Sequence, residues 1–345
     1  MKCVRKAIRK EMKLSIITIN YNNAAGLRRT LDSVAAQRLD GVEQAEATLE
    51  VEHIIIDGNS TDESVAIIRN YEQHILSLQC GQLGVPSISL TWVSEPDAGI
   101  YNAMNKGIEV ALGLRQVDAQ HHSLYSELEG EYKGTRRFLK ENKDEGHYIQ
   151  ILNSGDRLYS SSVISEMMKA LIENRYPGIM YGNMIRDYGD NLRNKRRDVR
   201  DQCLGAQHEW TMYDFIRGTI NHDPTWINRT VYEKYGLYDP NLKICSDWKW
   251  FVTAVVFGGE RPVYVPVDVT LFDVTGISET QLVFREKERE AELRKMLPEA
   301  VLKDYWNFHF PINQIQRLKR HHLWPFVYLM ERVLFKLEKW GILKG

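Results

Sequence analysis

Leu14-Ser15-Ile16-Ile17-Thr18-Ile19-Asn20-Tyr21-Asn22-Asn23 is a short apolar, β-branched run that stops in four polar residues. That is the pattern of a buried strand opening into a loop. Leu27, Leu31 and Val34 then recur at helical spacing, and Val51-Glu52-His53-Ile54-Ile55-Ile56 repeats the strand signal. The second run ends at Asp57-Gly58-Asn59-Ser60-Thr61-Asp62-Glu63-Ser64, where Ser60 or Thr61 is placed to cap a helix carrying Val65, Ile68 and Tyr71. Strand, helix, strand, helix predicts a parallel sheet.

The pattern continues outward. Ser89-Leu90-Thr91-Trp92-Val93-Ser94 reads as a third strand leading into Glu95-Pro96-Asp97-Ala98-Gly99, and Ile100 to Ala111 reads as a helix. Tyr148-Ile149-Gln150-Ile151-Leu152 is the fourth strand, ending at Asn153-Ser154-Gly155-Asp156. Each polar cluster follows the carboxyl end of a strand, the edge at which open α/β sheets bind ligands.

A highly charged stretch at about 113–147 is too long and polar for an ordinary connection and reads as a surface insertion. A second polar region runs from Arg186 to Gln202; either stretch is equally a solvated face. From Gln281 onward the sheet signals give way to helical ones. The end of the chain interleaves Leu323, Phe326, Met330, Val333, Leu334 and Trp340 with Arg332, Lys336 and Lys339. Such a basic, aromatic-rich amphipathic tail suits either a membrane surface or packing on the preceding domain.

Composition sets wide bounds. With 345 residues, 43% hydrophobic and 26% charged, the chain has material for one large domain and a further segment, and disordered or fibrous classes are excluded. Forty-five basic against 46 acidic residues argue against a globally basic nucleic-acid binder. Both termini are basic, so the middle is acidic and suited to a cation. Cys3, Cys80, Cys203 and Cys245 form no C-x-x-C pair, which fits a reduced cytoplasmic setting better than a disulfide framework. No segment has the roughly 18 apolar residues of a membrane span.

Asp57, Asp97 and Asp156 collect on the predicted ligand edge. One such Asp is ordinarily a turn or cap residue. Three together suggest hard oxygen ligands for Mg²⁺ or Mn²⁺ bridging to phosphate. Neither G-x-G-x-x-G nor G-x-x-x-x-G-K-[ST] occurs, which disfavours dinucleotide and Walker-type phosphate binding.

With these motifs in place, the chain resembles the inverting family 2 glycosyltransferases of the GT-A fold. The resemblance rests on Ser15 to Asn22, Ile56 to Asp62, Ser94 to Gly107 and Leu152 to Asp156, and covers about residues 13–280. The last two stretches are similar to the branch that builds bacterial exopolysaccharide, capsule and lipopolysaccharide. The resemblance implies an α/β GT-A domain at 13–280, with a mostly parallel central sheet flanked by helices. A basic segment at 1–12 would precede it and a helical amphipathic extension at 281–345 would follow.

It implies transfer of a sugar from a nucleoside-diphosphate sugar, UDP for preference, to a hydroxyl of a growing glycan or lipid-linked saccharide. Tyr21 and Asp57 would contact the nucleotide, with Asp97 and Asn105 lining the same pocket, and Asp156 would hold Mg²⁺ or Mn²⁺ on the diphosphate. Asp247, in Lys243-Ile244-Cys245-Ser246-Asp247-Trp248, matches the family's general base, although its place alone predicts a helix cap. His222, in Asn221-His222-Asp223-Pro224-Thr225, matches the segment near the donor sugar and diphosphate. Of Trp248 and Trp250, two apart on a helix, one at most would face a sugar. Gly58 and Gly155 stand where many relatives carry acids, which motivates the alternative of an inactive sugar-nucleotide or carbohydrate-binding protein. The expected location is the cytoplasm, at the inner face of the membrane if the tail docks there.

Overall fold

The first predicted strand forms and outruns its apolar core: β1 spans Lys10–Asn20 in the computed structural model, which describes residues 10–39, 47–78, 88–118, 122–125, 146–188, 195–197, 208–340 and 342. The next elements are α1 (Ala24–Ala35), β2 (Ala47–Asp57), α2 (Ser64–Leu78), β3 (Ile88–Ser94) and α3 (Ile100–Ala111). A small hairpin, β4 (Gln116–Asp118) and β5 (Ser123–Tyr125), precedes β6 (His147–Ile151). Most of the charged insertion, and residues 1–9 of the basic N-terminus, lie outside the described residues.

Then come β7 (Arg157–Leu158), α4 (Val163–Glu173), β8 (Ile179–Asp187), β9 (Lys195–Arg197), α5 (Met212–Arg217), β10 (Thr225–Asn228) and α6 (Arg229–Tyr235). Helix α7 (Ser246–Phe251) runs on into a π-helical turn, Val252–Phe257, and β11 (Val263–Asp273) follows. The remaining helices are α8 (Ile277–Thr280), α9 (Leu282–Met296), α10 (Glu299–Arg320) and α11 (Trp324–Lys339).

The main described sheet has the order β3-β2-β1-β6-β10-β8-β11-β7, with β9 beside β8. Strands β3, β2, β1 and β6 are parallel, and β10 is antiparallel to both β6 and β8. Leu14, Ile16 and Ile17 are all fully buried because helices cover both faces of this part of the sheet, the reason its strands read as continuous apolar runs. His53 fits into β2 by lying between Thr18 Oγ1 and Tyr71 Oη, each at 2.9 Å. Burial lowers its pKa to about 3, so it is a neutral core residue.

The expected helix cap is different. Ser60 Oγ donates to Asp57 Oδ1 at 2.6 Å, whereas the start of α2 is served by Asp62, whose Oδ1 accepts from Ser64 N at 3.0 Å. The charged carboxylate takes the capping role because the Ser60 hydroxyl is engaged by Asp57 and the Thr61 hydroxyl by Asn22 of the β1–α1 loop.

The chain divides into two compact units, Met1–Arg285 and Glu286–Gly345. The first contains every described strand; the second is helical. No described helix is long and apolar enough to cross a membrane.

Candidate active site

Strand register builds the site. Asn20 pairs with Asp57 and Asp57 with Ser94, so β1, β2 and β3 end level. The β1–β6 ladder continues past β6, with Leu152 N donating to Ile17 O at 2.8 Å and Ser154 N to Ile19 O at 3.1 Å. Four polar loops therefore open from one edge.

Asp57 is completely buried and holds three of these loops together. Its Oδ1 accepts from Asn20 Nδ2 (2.8 Å) and Ser60 Oγ (2.6 Å), and its Oδ2 from Ser60 N (2.9 Å) and Ser94 Oγ (2.7 Å). A carboxylate has about four acceptor positions. All are filled from within the protein, so Asp57 fixes the positions of the loops around it.

Tyr21 and Asp97 meet over Gly58. A Cβ added to Gly58 would lie 2.5 Å from Asp97 Oδ2 and 3.2 Å from Tyr21 Cδ2. The nearer atom is the tip of the Asp97 side chain, so a side chain at this position would have to turn that carboxylate aside. Tyr21 is 67% exposed, an open aromatic face at the strand edge.

Gly155 has a backbone reason: its φ of +112° lies where only glycine is comfortable. That turn delivers Asp156 into the interior, where Oδ1 accepts from Asp273 N at 2.8 Å. Burial, followed by the charge of and hydrogen bond to Asp223, raises the Asp156 carboxyl well above its ordinary range. Asp273 is itself tied to Arg29, Nη2 to Oδ2, at 3.1 Å.

The antiparallel β10 brings the next residues in. A strand of opposite direction begins where its parallel neighbour ends, so His222 and Asp223, just before Thr225, arrive beside Asn153 and Asp156. His222 Nε2 lies 3.0 Å from Asn153 Nδ2, and Nδ1 lies 3.0 Å from Asp247 Oδ2. Asp247 Oδ1 lies 2.9 Å from the Tyr101 hydroxyl.

Burial pushes His222 down, but Asp223 and Asp247 outweigh it and hold the imidazole well above its ordinary value. Burial pushes Asp247 up, but hydrogen bonding and charge from His222, with Trp248 N and Tyr101, bring it below the usual carboxylate value. Both shifts favour the charged forms, imidazolium and carboxylate. Asn153 Oδ1 is buried without a hydrogen-bond partner. Amide nitrogen and oxygen are interchangeable in placement; turning this amide gives the Nε2–H an acceptor and leaves the amide nitrogen in the unpartnered position.

Asn105 is not in the pocket. Its Nδ2 donates to Tyr238 O at 2.8 Å and its Oδ1 accepts from Tyr238 N at 3.0 Å, fastening α3 to the segment before Asp247. Asn105→Ala should destabilise the protein by about 1–3 kcal/mol, because two buried backbone groups lose their partners. Urea unfolding checks this; a loss below about 0.5 kcal/mol would mean that the pin contributes little.

Both tryptophans of α7 are core residues. Trp248 Nε1 donates to Phe215 O at 2.8 Å and Trp250 Nε1 to Gly236 O at 2.7 Å. Neither faces a sugar, because protein covers both indoles.

Among the described residues no group of three or more His, Cys, Asp or Glu forms a ready-made metal cage. Asp156 and the 2%-exposed Asp223 nevertheless place hard oxygen donors together. One Asp223 oxygen, Oδ1, is 3.2 Å from His222 Nε2 without the alignment of a hydrogen bond. This donor set fits a divalent cation that takes its remaining ligands from phosphate and water.

Residues 15–114, from β1 through α3, match the sequence model of glycosyl transferase family 2. Over those residues the chain carries a family 2 glycosyltransferase domain. The chain is 26% identical over 291 residues to an uncharacterized glycosyltransferase of Mycobacterium tuberculosis, spanning 83% of this chain and 85% of that protein. A PGL/p-HBAD biosynthesis glycosyltransferase of Mycobacterium bovis is 22% identical over 234 residues, covering 68% of this chain and 66% of its own length. The crystal structure of S. aureus TarS 1-349 has the same GT-A fold, with a TM-score of 0.50, 14% identity and coverage of 89% and 74% of the two chains.

The glycosyltransferase thus has Tyr21 and Asp97 at one side of its edge and Asp156, His222 and Asp247 at the other. Tyr101, Asn153, Asp223 and Asp273 were not singled out from sequence. Tyr101 and Asn153 lie inside family-like stretches, and Asp223 adjoins His222. Asp273 carries no signal beyond its place at a strand end.

Proposed function

We propose that this glycosyltransferase moves a sugar from a nucleoside-diphosphate sugar, UDP-linked for preference, to a hydroxyl of a growing bacterial surface glycan, with inversion at the anomeric carbon. The observation that carries this reading is the His222–Asp247 pair set beside the buried Asp156–Asp223 pair at the carboxyl edge of the sheet. Base and diphosphate site are then adjacent but distinct.

In the proposed reaction the acceptor hydroxyl attacks the anomeric carbon as the bond from that carbon to the diphosphate oxygen breaks, and the hydroxyl proton passes to Asp247. A sugar hydroxyl is a poor nucleophile until its proton is being removed. His222 holds the carboxylate ionised and oriented, and the Tyr101 hydroxyl fixes its other oxygen. Tyr21 stacks on the base, with Asp97 beside it. Asp156 would hold Mg²⁺ or Mn²⁺, which when bound supplies Lewis-acid stabilisation of the departing diphosphate; Asp223 stands beside it. Gly155 has a conformational reason to be glycine, so the missing acid there gives no support to an inactive binder.

A lipid-linked saccharide acceptor suits this reading and would place the enzyme at the cytoplasmic face of the membrane. The test is a panel of UDP-, GDP- and dTDP-sugars with Mn²⁺ or Mg²⁺ and candidate acceptors, scored by nucleotide release and by anomeric coupling in the NMR spectrum of the product. A UDP-sugar should turn over, and the product should have the anomeric configuration opposite to the donor. Retained configuration would sink the assignment of Asp247 as base.

A further inference from the structure

Helix α11 has no buried residue. At 3.6 residues per turn, Leu323, Phe326, Met330, Val333 and Leu334 fall on one stripe and Arg332, Lys336 and Lys339 on the opposite side. The five stripe residues are between 44% and 66% exposed. A stripe of this size left to water signals a partner. From Arg317 to the end of the chain seven basic residues face only two acidic ones, Glu331 and Glu338. Trp324, Tyr328 and Trp340 add the amphipathic aromatic side chains that settle at a lipid headgroup boundary.

We infer that α11 docks in the plane of an anionic lipid bilayer, with its apolar stripe in the acyl boundary and Arg332, Lys336 and Lys339 toward the phosphates. Three properties select lipid over a second copy of the chain. The excess positive charge of the tail opposes pairing with itself and favours an anionic surface. The aromatic residues occur along and just beyond the helix rather than as a narrow seam. The helix, 16 residues long, is too short and too charged to span a bilayer, where about 20 apolar residues are needed, yet is well suited to lie on one. The inference is independent of the chemistry assigned to Asp247 and Asp156.

The test is flotation of the full chain with vesicles of phosphatidylcholine alone and with about one-third phosphatidylglycerol. Binding is expected to the anionic vesicles only and to fall with salt. The triple variant R332Q/K336Q/K339Q should bind on the order of 100-fold more weakly, since each basic residue near an anionic surface contributes about fivefold. F326E/V333E should abolish binding. Both variants should keep the wild-type melting temperature and nucleotide-sugar response, which separates this outcome from any failure of the transferase reading. Equal binding to neutral and anionic vesicles, or no binding at all, would overturn the inference. So would a dimer of the wild-type chain that F326E/V333E makes monomeric in the absence of lipid binding, because the stripe would then belong to a second copy.

Discussion

Asp247→Asn should lower turnover by about 10²- to 10⁴-fold, the range that a positioned general base contributes, while donor affinity stays within a few-fold of wild type. Asparagine keeps the size of the side chain and an oxygen for Tyr101, but it cannot take the acceptor's proton. The measurement is steady-state transfer together with calorimetric titration of the sugar nucleotide; a rate near wild type would remove Asp247 from the mechanism. His222→Gln supplies a second reading of the same pair. Hydrogen bonding and charge from His222 oppose the upward push of burial on Asp247, so without the imidazole the carboxylate pKa rises. The acid limb of the pH–rate profile should therefore move to higher pH in this variant. A profile lowered uniformly, with no change in shape, would mean that His222 acts elsewhere.

Asp156→Asn should abolish transfer and with it the cation-dependent part of nucleotide binding. A ligand at 100 times its Kd stabilises the native state by about 2.7 kcal/mol, so the melting shift produced by Mn²⁺ and nucleotide together should largely vanish. Without cation the variant should melt no lower than wild type. Burial and Asp223 hold the Asp156 pKa above its unfolded value; the native state then binds more protons, and ionisation as pH rises works against folding. Asparagine removes that cost, and the difference should grow with pH across the interval between the unfolded and folded pKa values. A Mn²⁺-dependent melting shift as large in Asp156→Asn as in wild type would show that the cation is held elsewhere.

The contrast between what was legible and what was not follows individual residues. The strand containing Ile16 and Ile17 was readable because both faces are buried, which leaves no polar alternation to confuse with a helix. Helix α3 was readable from its flanking turn and its apolar spacing, and its limits, Ile100–Ala111, are those the sequence predicts. The ligand edge was readable because parallel strands all end on one side.

The bonds of Asn105 to the Tyr238 backbone were not legible, because an amide in a motif looks the same whether it meets a ligand or a backbone. Asp57 is ambiguous in the same way: nothing local shows that Asn20, Ser60 and Ser94 occupy all its acceptor positions. The Trp248–Trp250 pair could not be assigned from helical spacing, since whether one face is open depends on what packs there.

Sequence by itself determined the α/β order, the polar loops after β1, β2, β3 and β6, the candidate carboxylates and the amphipathic tail, all of which are encoded in neighbouring residues through strand and helix periodicity. Tertiary structure decided which carboxylates work together. Strand β10 runs against β6, and that reversal carries His222 to Asn153 on one side and to Asp247 on the other, joining residues 69 and 25 positions apart. Such a meeting depends on strand order and direction across the sheet, and these are set by packing over the whole domain.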